Sequence, residues 1–331
     1  LKFYNYKKRK GIFFMYRYFP NSLYKLIHPH GRWFIKRLNQ SATLYTTNLG
    51  SRLRFIAKGV NNLTVNVLDN RNPFSPSQIY AWRIDGTQWH RELASHRSWQ
   101  IECGSANHLI EIITAGNSDL DRVWNGDEGF AITSVDVEQG KLISAPPVPV
   151  IDFIGDSITA GCWVAGHNAS IDYRPESNYV GTAIDLLHAT DVRIAYSAGG
   201  VLRQATGGVP TADQFLTKLD ATTFWQANTP DLVVINLGVN DRRFSLDQFN
   251  VSYDHFLSLV TTLFSSVPIL PMIPFSQTFA ESIRSLTKKH KLPLIETQGW
   301  CSSFTDDLHP DQSGATESGY RLAEKLSNWL K

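Results

Sequence analysis

The chain has few cysteines, little net charge and no long apolar segment. Its 331 residues include only Cys103, Cys162 and Cys301, an odd number of widely separated cysteines. They can build neither a disulfide framework nor a CxxC metal motif, and a reducing compartment fits them best. Thirty-two Lys and Arg residues stand against 30 Asp and Glu residues. The net charge of +2 therefore gives no field that would favour nucleic acid or an acidic partner.

The first 20 residues contain a basic run at positions 7–10, followed by five apolar residues. Arg17 and Pro20 interrupt the apolar stretch, and no small-residue cleavage site follows. We therefore predict neither a signal peptide nor a membrane span, and we expect a cytoplasmic protein without a membrane partner. Because the chain begins with Leu1 and not with Met, an export signal upstream of it is an open alternative. His28 and His30 lack a nearby carboxylate or cysteine at ligand spacing, so no metal is expected there.

The chain is long enough for two domains, and its pattern changes near residue 144. Between residues 42 and 143, short runs that alternate apolar and polar residues are separated by Gly, Asn, Asp and Pro. This pattern is typical of half-buried antiparallel strands. We predict a β-sandwich of jelly-roll type over residues 1–143, which includes the basic N-terminal segment. The proline-rich residues 144–149 then form a linker between domains.

Residues 150–331 instead alternate compact apolar runs with helical periods. The runs indicate five buried parallel strands, at 150–154, 192–197, 232–237, 269–273 and 292–295. Helices are predicted at 178–188, 211–219, 246–264 and 279–290, and at the C-terminus. The expected second domain is an α/β layer structure with a five-stranded parallel sheet. Its active site should lie in the loops at the carboxyl ends of the strands.

Three of these loops carry residues suited to acyl transfer. Residues 155–159, Gly-Asp-Ser-Ile-Thr, place Ser157 at a strand-to-helix corner, although such a tripeptide alone is equally an ordinary turn or cap. Residues 197–200, Ser-Ala-Gly-Gly, offer a backbone N–H that no side chain obstructs. Asn240, in the sequence Gly-Val-Asn-Asp, offers a side-chain amide. Neutral donors that converge in this way are what an oxyanion hole requires.

The loop before the final helix contains Asp-Asp-Leu-His-Pro at residues 306–310. A histidine three residues after an aspartate can direct one ring nitrogen to a nucleophile while the carboxylate holds the other. The adjacent Asp307 is an alternative partner, but the three-residue spacing favours Asp306. Because this loop follows the fifth predicted strand, His309 should reach the same edge of the sheet as Ser157.

Together these four segments resemble the ordered blocks of the GDSL/SGNH hydrolases, over residues 155–310. The resemblance implies a flavodoxin-like three-layer α/β/α domain. It implies Ser157 as the nucleophile, His309 as general base and then acid, and Asp306 as the partner that orients His309. This chemistry needs no cofactor and no metal.

The same resemblance implies an oxyanion hole. Its donors are the backbone N–H groups of Ser157 and Gly200 and the side-chain amide of Asn240. Gly199 is the alternative to Gly200, because block two reads Ser-Ala-Gly-Gly in this chain.

The first domain narrows the expected substrate. Residues 31–33, Gly-Arg-Trp, and the strand-like residues 49–55 resemble the start of carbohydrate esterase family two. Members of that family join a small jelly-roll to an SGNH domain and remove acetyl groups from plant polysaccharides. The resemblance implies a serine esterase that acts on an acetylated saccharide. Trp163 and Trp300 are candidates for stacking on a sugar ring, although buried aromatic residues more often belong to a core.

Two other functions are compatible with the motifs. One is a lipid or lysophospholipid esterase, or an acyltransferase that passes the acyl group to an alcohol. The absence of a long apolar lid or amphipathic surface segment disfavours lipids. The other is a non-catalytic glycan-binding protein with a vestigial hydrolase domain. The sequence selects neither the sugar, nor the acetylated position, nor the oligomeric state.

Overall fold

A computed structural model describes residues 2–7, 12–27, 31–225 and 229–330. Residues 8–11, which include most of the basic run, and the pair His28 and His30 lie outside the described residues. Within the described ranges, the chain forms two antiparallel sheets followed by one parallel sheet. No helix in these ranges is long and apolar enough to cross a bilayer.

The first domain is a jelly-roll sandwich of two antiparallel sheets with one helix, α1 (Pro20–Ile27). Its strands are β1 (Lys2–Lys7), β2 (Ile12–Tyr18), β3 (Phe34–Leu38), β4 (Ser41–Thr46), β5 (Arg52–Lys58), β6 (Asn62–Leu68), β7 (Ile79–Ile84), β8 (His90–Leu93), β9 (Ser98–Glu102), β10 (Asn107–Gly116), β11 (Phe130–Val137) and β12 (Lys141–Ser144). One sheet has the order β1-β2-β11-β4-β3, with β6 pairing both β11 and β9, and the other has the order β12-β5-β10-β7-β8.

The predicted apolar–polar alternation is visible in β6. Leu63, Val65 and Val67 are buried, while the residues between them are half-buried. Side chains that alternate along a strand point to opposite faces, so this strand covers the core with one face only. Leu63, Val65 and Val67 belong to a hydrophobic core that also contains Phe55 and Ala160, and Ala160 comes from the second domain. The two domains therefore share part of one core.

The second domain is a three-layer α/β/α structure. Its strands are β13 (Val150–Gly155), β14 (Thr190–Ala195), β15 (Leu232–Asn236) and β16 (Ile269–Pro271). Its helices are α2 (Ser157–Ala160), α3 (Tyr179–Leu187), α4 (Ala212–Phe215), α5 (Leu246–Leu263), α6 (Ala280–Lys289) and α7 (Gln312–Leu326), with a short 3₁₀ helix at Val239–Arg243. A further short 3₁₀ helix, Ala94–His96, lies in the first domain. The strands are parallel, in the order β14-β13-β15-β16. Helices α3 and α7 pack on one face of the sheet, and α5 and α6 pack on the other.

The predicted fifth strand, residues 292–295, is reduced to a single bridge between Met272 and Ile295. Ile295 still donates to the Pro271 carbonyl and accepts from the Ile273 N–H, as a strand residue would. Pro293 has no backbone N–H to donate, so the pairing does not extend toward the N-terminus. The expected five-stranded sheet is thus a four-stranded sheet with one bridging residue at its edge.

The predicted helix at 211–219 is also shorter, because α4 ends at Phe215. The chain then turns into a short hairpin with a bridge between Lys218 and Phe224. The guanidinium of Arg32, in the Gly-Arg-Trp motif of the first domain, donates to the Phe215 carbonyl at 3.0 Å and also to the Lys218 carbonyl. A long-range contact that the local pattern does not contain therefore occupies the end of this helix.

Buried ion pairs join the two domains. Asp191 of β14 accepts from Arg52 of β5 at 3.0 Å and from Arg193 at 2.6 Å, and all three side chains are buried. Arg52 also contacts Glu111 at 3.1 Å, and Glu111 accepts from Arg83 at 2.6 Å. Residues 145–149 connect the domains, because Ser144 still pairs with Phe55 in the first domain.

Candidate active site

Ser157 lies at the corner where β13 turns into α2, at the carboxyl edge of the parallel sheet. Gly155 allows this corner, because a Cβ at that position would lie 2.1 Å from the Thr159 hydroxyl. Asp156 caps α2 by accepting from the Ile158 N–H at 2.9 Å. Burial, together with the nearby Asp241 carboxylate, raises the pKa of Asp156 to about 7, against the effect of the backbone N–H groups that it accepts from.

His309 reaches Ser157 from the loop that precedes α7. The Ser157 Oγ and His309 Nε2 atoms are 2.8 Å apart, and both residues are buried. The His309 Nδ1 lies 2.8 Å from Asp306 Oδ2 and 3.0 Å from Asp306 Oδ1. With its proton on Nδ1, the neutral imidazole donates to Asp306 and accepts from the Ser157 hydroxyl. The structure therefore brings the three predicted residues together.

The backbone of the same loop fixes Asp306. Its Oδ1 atom accepts from the His309 N–H at 2.8 Å and from the Leu308 N–H at 3.3 Å. The Thr305 N–H donates to the His309 carbonyl at 2.8 Å, which closes the loop. Asp307, the alternative partner, is exposed and has a left-handed backbone with φ of 63°. The histidine contact thus belongs to Asp306.

The pKa values at this pair reflect a balance between burial and the ion pair. Burial of the ring lowers the pKa of His309, and the Asp306 carboxylate opposes this only in part. For Asp306, burial raises the pKa, but the hydrogen bonds from His309 outweigh it and the pKa falls below its ordinary value. At neutral pH the pair therefore holds a neutral imidazole beside an ionised carboxylate.

Two of the predicted oxyanion donors are available to a ligand. The Ser157 N–H, at the start of α2, donates to no group in the part of the chain that the structure describes. Asn240 is buried, and its Nδ2 atom donates to the Gly199 carbonyl at 3.1 Å. An amide NH₂ carries two N–H bonds, so this contact uses only one of them.

The third donor was expected from Gly200 or Gly199. The Gly200 N–H donates to the Arg203 carbonyl at 3.0 Å, and the Gly199 N–H donates to the Tyr196 carbonyl at 3.1 Å. Both groups are engaged within the loop, and the choice between them stays a prediction. Close packing requires a glycine at position 200, because a Cβ there would lie 2.3 Å from Asp241 Oδ1.

Asp241 organises this loop, a role that sequence reasoning missed. Its carboxylate accepts from the backbone N–H groups of Val201, Leu202 and Arg203 at 3.0, 3.0 and 2.9 Å. Burial raises the pKa of Asp241, and these N–H groups act in the opposite direction. The available signal was its place directly after Asn240, which lets one short 3₁₀ turn supply both side chains.

The two predicted sugar-stacking residues differ in position. The Trp163 ring lies 6.4 Å from the His309 ring and 5.1 Å from the Tyr173 ring, measured between centroids, and it is half-buried. Trp300 is 6% exposed and packs in the core between the sheet and helices α3 and α7. The expectation that Trp300 stacks on a sugar is therefore corrected, because it presents no free face to a ligand.

The first domain also reaches this edge of the sheet, through the loop that follows β10. Asp119 of this loop is exposed and accepts from the Thr206 hydroxyl at 2.9 Å. Trp124 anchors the loop, since its backbone N–H donates to the Gly207 carbonyl at 3.2 Å. Like Asp306, the Asp119 carboxylate opposes the lowering of the His309 pKa by burial, but its effect is smaller. No sequence motif marks Asp119.

The cysteines take no part in this arrangement. Cys103, Cys162 and Cys301 are free thiols. Burial raises the pKa of Cys162, the cysteine nearest Ser157 in sequence, so its thiol stays protonated. Among the described residues, no three His, Cys, Asp or Glu side chains are grouped so that they could hold a metal ion.

A buried serine beside a histidine–carboxylate pair, at the carboxyl edge of a parallel sheet, is the arrangement that serine hydrolases use. Residues 153–316 match the model of the GDSL-like Lipase/Acylhydrolase family. The second domain is similar to this family over most of its length, and the protein is a carboxylic ester hydrolase. No curated protein matches the chain.

Several solved structures share the fold of both domains. A family two carbohydrate esterase from Clostridium thermocellum, in complex with cellohexaose, is 19% identical with a TM-score of 0.73, over 91% of this chain and 99% of that one. A family two carbohydrate esterase from Cellvibrio japonicus is 17% identical with a TM-score of 0.73, over 96% and 99%. An acetyl xylan esterase from the rumen bacterium Butyrivibrio proteoclasticus is 13% identical with a TM-score of 0.71, over 95% and 100%.

Proposed function

We propose that the protein is a serine esterase that removes short acyl groups, chiefly acetyl, from carbohydrate. The observation that carries this proposal is the chain of contacts from Ser157 Oγ through His309 to Asp306, each 2.8 Å long at its closest. The named carbohydrate esterases that share the fold over nearly the whole chain support the substrate class.

The proposed reaction has two halves. His309 Nε2 removes the hydroxyl proton as Ser157 Oγ attacks the acyl carbonyl carbon, and the carbonyl oxygen becomes an oxyanion. The oxyanion accepts from the Ser157 N–H and the Asn240 amide, with Gly200 as the third proposed donor. Collapse of the tetrahedral intermediate breaks the ester bond, and His309 returns the proton to the departing sugar hydroxyl.

In the second half, water hydrolyses the acyl-Ser157 ester. His309 accepts a proton from the water as its oxygen attacks the acyl carbon, and then protonates Ser157 Oγ as the carboxylic acid departs. Asp306 holds the ring throughout and stabilises the imidazolium that forms in each half. We also propose that Trp163, whose ring lies beside His309, contacts the sugar near the scissile ester.

We expect the rate to depend on pH through His309. Only the neutral ring accepts the Ser157 proton, and burial lowers its pKa below the ordinary value of 6.5. Hence kcat/KM for p-nitrophenyl acetate should decline toward acidic pH with a midpoint below pH 6.5. Asp306→Asn removes a charge that raises this pKa, so the decline should move to lower pH while the maximal rate falls. A decline centred above neutral pH would contradict the assignment of His309.

The length of the acyl chain and the alcohol that carries it test the proposed substrate. We expect p-nitrophenyl acetate to be hydrolysed with a higher kcat/KM than the butyrate and octanoate esters. We also expect acetate release from acetylated xylo-oligosaccharides or glucomanno-oligosaccharides, measured enzymatically. Ser157→Ala serves as the control for spontaneous hydrolysis. A preference for the octanoate ester, or acetate release from neither class of oligosaccharide, would count against a carbohydrate deacetylase.

A further inference from the structure

We infer that Arg203 is a positioning residue of the oxyanion hole, which holds the Asn240 amide with its NH₂ group toward the reacting carbonyl. This inference rests on the proposed function and adds to it a residue that no motif marks. Its basis is a contact of 3.2 Å, in which the Arg203 guanidinium donates to Asn240 Oδ1.

The contacts around Asn240 select one orientation of its amide. At one end, Oδ1 accepts from Arg203, which has only donors; at the other, Nδ2 donates to the Gly199 carbonyl, which is only an acceptor. Rotation of the amide by half a turn would place a donor against Arg203 and an acceptor against Gly199. Because Asn240 is 5% exposed, water cannot readily repair these mismatches. Arg203 thus makes one of the two contacts that distinguish the two orientations.

The backbone of Arg203 is held independently of its side chain. Its N–H donates to Asp241 Oδ1 at 2.9 Å, and its carbonyl accepts from the Gly200 N–H at 3.0 Å. A substitution at position 203 retains both of these backbone contacts. Such a substitution therefore tests the guanidinium contact with Asn240, and the fold of the loop should be unaffected.

The guanidinium occupies an unfavourable place for a positive charge. It is half-buried, and burial together with the nearby charges of Arg243 and Arg242 lowers the pKa of Arg203, although the Asp241 and Asp119 carboxylates oppose this in part. A charged side chain that lies beside like charges at the carboxyl edge of the sheet is more typical of a residue with a function than of one that stabilises the fold. Contact with Oδ1 also polarises the amide, which strengthens the hydrogen bonds that its NH₂ group donates.

Loss of the contact should act on the transition state. The oxyanion forms only as Ser157 attacks, so a misoriented Asn240 weakens binding of the transition state far more than binding of the ester. Removal of a whole oxyanion donor commonly lowers kcat by about 10²–10³-fold. Loss of Arg203, which only positions the Asn240 donor, should lower kcat by a smaller factor, about 10- to 100-fold.

The test is a double-mutant cycle with p-nitrophenyl acetate. Arg203→Met should lower kcat by about 10- to 100-fold with little change in KM, and Arg203→Lys, which keeps a charged donor, should recover part of the loss. In an Asn240→Ala background, Arg203→Met should have little further effect, because its target is gone. Arg243→Met, which removes an exposed neighbouring charge, should leave kcat unchanged.

Two results would overturn the inference while leaving the proposed function intact. One is an unchanged kcat in Arg203→Met, and the other is a loss of the same size in the wild-type and Asn240→Ala backgrounds. Thermal melting of each variant identifies any unfolding; if Arg203→Met unfolds, Arg203→Lys and Arg203→Gln carry the cycle. Failure of the proposed function is distinct, because the wild-type protein would then show no hydrolysis that depends on Ser157.

Discussion

Ser157→Ala and His309→Ala should each lower kcat for p-nitrophenyl acetate by on the order of 10⁴-fold or more, with the fold unchanged. Without Ser157 there is no Oγ to form the acyl intermediate. Without His309 the hydroxyl keeps its proton and is a weak nucleophile. Because the two residues act as one unit, the double variant should be no slower than the slower single variant. Initial rates measure the loss of kcat, and far-ultraviolet circular dichroism verifies that the fold is unchanged.

Matched controls exist for both substitutions. Ser265 and His255 are exposed in the second domain, away from the carboxyl edge of the sheet. Ser265→Ala and His255→Ala should retain wild-type kcat. Substantial activity in Ser157→Ala, or losses in the two single variants that multiply in the double variant, would contradict the proposed pair.

Asp191→Ala should lower the free energy of unfolding by about 3–5 kcal/mol. Its side chain is fully buried and lies between Arg52 and Arg193, at 3.0 and 2.6 Å. Removal of the carboxylate leaves two buried guanidinium groups with less compensating charge, and Glu111 contacts only Arg52 of the two. A loss of this size is much larger than removal of an exposed ion pair would cause. Urea denaturation, followed by fluorescence, measures it.

Two further variants sharpen this prediction. Asp191→Asn preserves the volume and one oxygen acceptor, so its loss should be smaller than that of Asp191→Ala. Glu317→Ala breaks a partly exposed pair with Arg321 and a hydrogen bond from Ser302, and it should shift the urea midpoint far less than Asp191→Ala does. Equal midpoints for Asp191→Ala and the wild-type protein would show that the buried network does not stabilise the joined domains.

The positions of Ser157, Asn240 and His309 could be predicted because parallel strands end at a common edge. The apolar runs locate the strands, and each strand end then places its loop beside the next. The sequence also predicts the choice of Asp306 over Asp307, because three-residue spacing lets one carboxylate reach both the His309 ring and its backbone N–H.

Other features depend on contacts between distant parts of the chain. Arg203 and Asp119 have no motif, and their partners come from other loops or from the other domain. The sequence around Trp300 is compatible with a core position and with a sugar-stacking position. Only its packing against α3 and α7 shows that it belongs to the core. The fifth strand has the composition of a strand, but Pro293 limits it to one bridging residue.

The central claim is that Ser157 is the residue that takes the acyl group, and covalent labelling tests it most directly. A fluorophosphonate probe reacts with a serine that a neighbouring base activates. After incubation and proteolysis, mass spectrometry should find the probe on the peptide that contains Ser157, at one label per chain, with hydrolysis lost in parallel. The His309→Ala variant should label much more slowly. Labelling of a different serine, or full loss of hydrolysis with Ser157 unlabelled, would contradict the account.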